Sequence, residues 1–249
     1  MGKLRDKGTM KKYVIQLILL LLVMLPLMGI PYEKTEEYAR KQEILNERAT
    51  RFRAETGFDG YISYNHNTMK FSTFRGNYQD ITVTAPQDTV FMNHVYGQVF
   101  AKIRPYISAR EGQLSEQKIT QSNMKEWIQK VNGYSIHPGG SLRIRYNLPT
   151  KEFVIIDNTV DIPNEPIPIN ISKEDAKQRI LSEYYRSEEY KNEAWSVANY
   201  NPVIRYFSFQ VDGKDMPYQL CWKMGFQFAV YYINVETCEL YHHPAKVIH

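Results

Sequence analysis

The chain has 249 residues, enough for one large domain or two small ones, and its 43% hydrophobic content suits a globular core rather than a disordered chain. Residues 1 to 12 hold five of the 31 basic residues and one of the 27 acidic ones, which leaves 26 of each over the remainder. The net charge of +4 is therefore a property of the first dozen residues, and a broad cationic surface for nucleic acid is disfavoured.

Those cations, Lys3, Arg5, Lys7, Lys11 and Lys12, precede an apolar run from Tyr13 to Ile30 broken only by Gln16, Pro26 and Gly29. The pattern predicts a cytoplasmic basic segment at 1–12 and a transmembrane anchor or secretion signal at 13–30, with everything after Pro31 outside a bacterial cell. The exit Leu27-Met28-Gly29 has a large residue at its outer position, which suits signal peptidase poorly, and no cysteine nearby invites lipidation. An uncleaved, single-pass anchor in the cell membrane is favoured, with secretion after cleavage as the alternative.

Residues 31–56 carry Glu36, Glu37, Lys41, Glu43, Glu47 and Arg48 around a thin apolar stripe of Tyr38, Leu45, Ala49 and Phe52. They are expected to form a helical stalk above the bilayer or, alternatively, the first helix of the domain. From Gly57 the pattern has period two, and Phe58 to Tyr64 and Met69 to Phe74 around Asn65-His66-Asn67 predict a hairpin. Asp88 is placed to cap a helix with Phe91, Val95, Val99 and Ile103 on its inner face, stopped by Pro105. Met124, Trp127, Ile128 and Val131 have helical spacing and predict a further helix ending at Asn132-Gly133.

Leu142, Ile144, Tyr146 and Leu148 alternate with Arg143, Arg145 and Asn147, and Pro149-Thr150-Lys151 turns this strand into Phe153 to Ile156. Asp161 to Pro168, with three prolines, reads as an extended connector near a domain boundary. Ser172 caps the next helix, with Ile171 and Ala176 as a staple and Ala176, Ile180 and Tyr184 facing inward. The end of the chain is β again: Tyr218 to Phe228, a return strand from Val230 to Val235, and a turn at Glu236-Thr237 into Leu240-Tyr241. Cys221 and Cys238 lie on this sheet, and spacing leaves open whether they form a disulfide or remain two thiols.

The stretch Tyr218 to Met224, followed by Tyr231-Tyr232-Ile233-Asn234-Val235-Glu236-Thr237-Cys238-Glu239-Leu240, resembles the end of a PepSY domain, and Ser172 to Ala176 resembles the start of its helix. Asn132 to Ile136 with Gly139 to Ile144 resembles the fungalysin and thermolysin propeptide module, with Phe58 to Gly76 as its first hairpin. Asn234 stands where that family has Asp, and Cys238 where it has Gly. The resemblance implies an α+β fold of two antiparallel sheets, each packed with helices, divided as a propeptide-like module at 57–165 and a PepSY-like module at 166–249. It also implies a module that regulates or holds a peptidase or another extracellular protein, although no peptidase domain follows in this sequence.

The histidines, at 66, 94, 137, 242, 243 and 249, offer no metallopeptidase spacing; His242 and His243 adjoin, but neighbours on a strand point to opposite faces. Ser115 to Lys118 and Ser122 to Lys125 match Ser-x-x-Lys but lack the companion motifs, and Cys221 beside Trp222 is better placed for packing than for attack. No catalytic, cofactor or metal residues are therefore assigned. The aromatic load of 19 Tyr, 11 Phe and 3 Trp falls largely on inward strand positions, and the cluster Tyr184, Tyr185, Tyr190 and Tyr200 is the candidate partner-binding set. The expectation is a binding or regulatory module of the cell envelope; the alternatives are an envelope hydrolase with an unfamiliar centre and a component that self-associates through the 33–56 helix.

Overall fold

The computed structural model describes residues 35–117, 123–186, 201–211, 214–226 and 229–244. In chain order these form α1 (Glu36–Thr56), β1 (Phe58–Asn65), β2 (Lys70–Tyr78), α2 (Thr89–Ile103), β3 (Leu114–Glu116), β4 (Met124–Val131), β5 (Tyr134–His137), β6 (Ser141–Asn147) and β7 (Glu152–Asp157). There follow α3 (Lys173–Arg186), β8 (Val203–Phe207), β9 (Gln210–Val211), β10 (Lys214–Asp215), β11 (Gln219–Gly225), β12 (Ala229–Asn234) and β13 (Leu240–Pro244).

Two separate antiparallel sheets are not what forms. Eleven strands make one mixed sheet in the order β1-β2-β7-β6-β4-β5-β8-β11-β12-β13, with β3 paired to β4 at the side. The join is β5, which pairs antiparallel with β4 at Lys130↔Ser135 and Val131↔Tyr134, and parallel with β8 at Ile136↔Tyr206 and His137↔Phe207. Four residues between two turns thus fuse what would have been two sheets, and Val131, Ile136, Tyr206, Leu220 and Val235 bury a shared core across the join. The expected anchor at 13–30 lies outside the described residues, and among those no helix is long and apolar enough to cross a membrane.

In the N-terminal half, α1 and α2 cover one face of the sheet. Ala49 and Phe52 of α1 share a core with Phe58, Phe71, Phe74, Val95 and Phe153, so the last turns of this helix belong to the domain and do not form a free stalk. Thr35 caps its start and Gly57, with φ 68°, ends it in the left-handed conformation. Gly60 and Gly76 face each other across β1 and β2, where a Cβ on Gly60 would lie 2.2 Å from the Arg75 carbonyl oxygen. Asp88 caps α2 by accepting from the amides of Val90 and Phe91 at 2.8 and 3.0 Å.

Residues Met124–Val131 are a strand, not a helix. Their burial alternates, but two of the inward positions are polar. Lys125 lies 2.5 Å from Glu116 and over the Trp127 ring, and also donates to Asn93. Gln129 donates to Gln113 Oε1 at 2.7 Å and to the Val160 carbonyl at 2.6 Å, and it accepts from the Val160 amide at 2.9 Å. Gln113 in turn donates to the Ile162 carbonyl at 2.8 Å, so this buried amide network fastens the proline-rich connector to the N-terminal half.

In the C-terminal half, α3 lies on one face of β11 and β12. Ser172 caps it by accepting from the Asp175 amide at 3.1 Å, and Ile171, Ala176, Ile180 and Tyr184 pack on Met224, Tyr231 and Ile233. Trp222 Nε1 donates to the Ile171 carbonyl at 3.1 Å and fixes the entry of the helix on the sheet. At the last turn Asn234 Oδ1 accepts from the amides of Glu236 and Thr237, and Cys238 adopts φ 58° where glycine would be easier.

Candidate functional site: a basic cleft on the sheet face opposite α3

Of the expected tyrosine cluster, only Tyr184 and Tyr185 are among the described residues. Tyr184 is fully buried, stacked on Phe226 with ring centroids 4.2 Å apart, and belongs to the core beneath α3. Tyr185 beside it is partly exposed, at 39%. Tyr190 and Tyr200 lie outside the described residues. The helical spacing of Ala176, Ile180 and Tyr184 already carried the signal that placed Tyr184 inward.

Strands expose two faces, so the face of β8, β11 and β12 opposite α3 must carry the alternate residues: Val203, Arg205 and Phe207; Cys221 and Lys223; Val230 and Tyr232. Phe207, Phe209, Cys221 and Tyr232 form a small aromatic cluster there, in which Phe209 stacks on Tyr232 at 4.6 Å. Burial pushes the Cys221 thiol up to about 12, so at neutral pH it is a packing group and not a nucleophile. Both cysteines are free thiols, with Cys221 buried and Cys238 half-buried.

Beside this cluster opens a cleft of about 360 Å³ lined by His137, Asn201, Val203, Arg205, Phe207, Lys223 and Gly225. Lys223 Nζ sits 5.5 Å from the centroid of Phe207 and 5.8 Å from that of Tyr232, a position over two ring faces that attracts a cation. His137 meets Phe207 edge-on at 5.9 Å. Partial burial, and next the Arg205 guanidinium, hold the Lys223 ammonium below its ordinary pKa. Burial, then Lys223 and Arg205, likewise lower the His137 imidazole.

A second cleft, of about 490 Å³, lies where the two halves meet and is lined by Thr68, Lys70, Ser72, Asp157, Asn158 and Tyr218 among others. Burial raises the Asp157 carboxyl, but its Oδ1 already accepts from the Thr159 amide at 2.9 Å and hydroxyl at 2.7 Å. The Thr159 hydroxyl oxygen accepts in turn from the amides of Ser108 and Ala109, so the pair serves as a staple between loops.

Of the Ser-x-x-Lys matches, Lys118 and Ser122 lie outside the described residues, and Lys125 is consumed by Glu116 and Asn93. Among the described residues no group of three or more His, Cys, Asp or Glu side chains is arranged to hold a metal ion. The residues that sequence reasoning missed are His137, Arg205, Phe207 and Lys223. Arg205 and Lys223 share one face of the neighbouring strands β8 and β11, where Arg205 pairs with Cys221 and Lys223 with Val203, whereas His137 joins them only through the parallel pairing of β5 with β8. No protein-family model, no curated protein and no solved structure matches the chain.

Proposed function

We propose that the chain is a binding module tethered to the outside of the cell membrane through residues 13–30, and that it holds an extracellular protein on the face of its C-terminal half opposite α3. The observation that carries this reading is the asymmetry of that half. One face is covered by α3, while the other presents exposed Val203 and Arg205 beside an aromatic floor and a concave basic cleft. The similarity of residues 218–240 to the end of a PepSY domain, a module that holds other proteins, supports it, as do the five cations before the apolar N-terminal run.

Photo-crosslinking in intact cells tests the reading. A photoreactive residue at Val203, which is 46% exposed, is expected to give an adduct with a second protein; the same residue at Val90, 82% exposed on α2, is expected to give none. Equal adducts at the two positions, or none at Val203, contradict the reading.

A further inference from the structure

Three basic side chains from three strands converge on the cleft, and among the described residues none of them forms an ion pair with a carboxylate. Other described cations do find carboxylates, as in Lys102 with Asp80, Arg110 with Asp161 and Arg143 with Glu126. At this cleft, by contrast, the Arg205 and Lys223 cations face the same partly buried lining without a carboxylate between them. An oxyanion between Arg205 and Lys223 relieves their repulsion and supplies the acceptor that both donors lack, with the guanidinium able to grip two oxygens at once.

The rest of the lining narrows the choice of anion. Val203 and the Phe207 ring are apolar walls, and at Gly225 no heavy atom lies within 4 Å of where a Cβ would stand, so that end is open. A volume of about 360 Å³ suits one or two residues and not a polyanion. Charge at one end and an aromatic wall beside it match an apolar amino acid that carries a free α-carboxylate.

We infer that the cleft binds the C-terminal end of a peptide or protein, its carboxylate held between Arg205 and Lys223 with His137 at the rim and its last side chain against Phe207 and Val203. This inference rests on the binding-module reading above, whose partner it would recognise by a free chain end.

Isothermal titration of the full chain in detergent micelles with acetyl-Ala-Ala-Phe as free acid, the same peptide as C-terminal amide, and inorganic phosphate decides it. The free acid is expected to bind at least about tenfold more tightly than the amide, in line with a charge-assisted hydrogen bond. Arg205→Gln and Lys223→Gln should each remove about that factor, and Arg205→Lys should restore part of it, with the melting temperature unchanged in all three. Equal binding of acid and amide, absence of binding, or phosphate binding as well as the free acid overturns the assignment. If the Val203 adduct persists undiminished in Arg205→Gln and Lys223→Gln cells, the carboxylate assignment falls while the binding-module reading stands; absence of that adduct in the parent protein removes the reading itself.

Discussion

The two halves of the sheet use the same alternation of residues to different ends. In the N-terminal half Phe52, Phe58, Phe71, Phe74 and Phe153 meet under two helices, and the polar side chains that enter the interior, Lys125, Gln113 and Gln129, are all partnered. In the C-terminal half α3 covers one face, and the basic groups of the other, Arg205 and Lys223, have no acidic partner among the described residues. On the proposed reading, the buried and partnered polar groups hold the N-terminal half together, while Arg205 and Lys223 are left to receive a ligand.

The largest expected effect that sharpens this contrast is Phe52→Ala. If α1 is part of the core, the lost ring contacts cost roughly 3 to 5 kcal/mol in a denaturant titration, whereas a free stalk would tolerate the change. Next comes Gly60→Ala, whose Cβ would press on the Arg75 carbonyl; the strands must part, at a cost of about 2 to 3 kcal/mol by the same measurement. Gln129→Ala leaves the Val160 amide without its acceptor and takes one of two donors from Gln113 Oε1; it is expected to cost about 2 kcal/mol, and proteolysis should then cut the connector at 160–168 first.

Arg205→Gln belongs at the small end. Removing an exposed charge that repels its neighbours should change stability by less than about 0.5 kcal/mol while abolishing adducts at Val203. A finer test is pH. His137 is lowered in the free protein by burial and by Lys223 on β11 and Arg205 on β8, so in isolation its protonation costs stability as pH falls below about 6.5. A bound carboxylate raises the same group. The complex then binds more protons than the free protein, and free-acid peptide affinity should increase as pH drops from about 7 to 5. His137→Gln should flatten that profile.

Much of the fold was legible wherever one face of an element is apolar throughout. Asp88 with Val95, Val99 and Ile103, Ser172 with Ala176 and Ile180, and the Leu142-Ile144-Tyr146 alternation all lie where their patterns put them. The strand Met124–Val131 was not legible, because its inward set includes Lys125 and Gln129, and hydrophobicity records their polarity and not their buried partners. The union of the sheets was hidden for a different reason: β5 has four residues, and its parallel partner lies some seventy residues on, beyond any local pattern. Of the site, the aromatic positions could be seen as strand interior, but the cleft exists only once β5, β8 and β11 are side by side.

Hydrogen–deuterium exchange of the full chain with and without the free-acid peptide tests most directly whether the face of the C-terminal half opposite α3 is where binding occurs. Slowed exchange confined to residues 203–207 and 219–225, with 58–78 unchanged, is the predicted result. Protection centred on the N-terminal strands, or none at all at β8 and β11, would contradict the account.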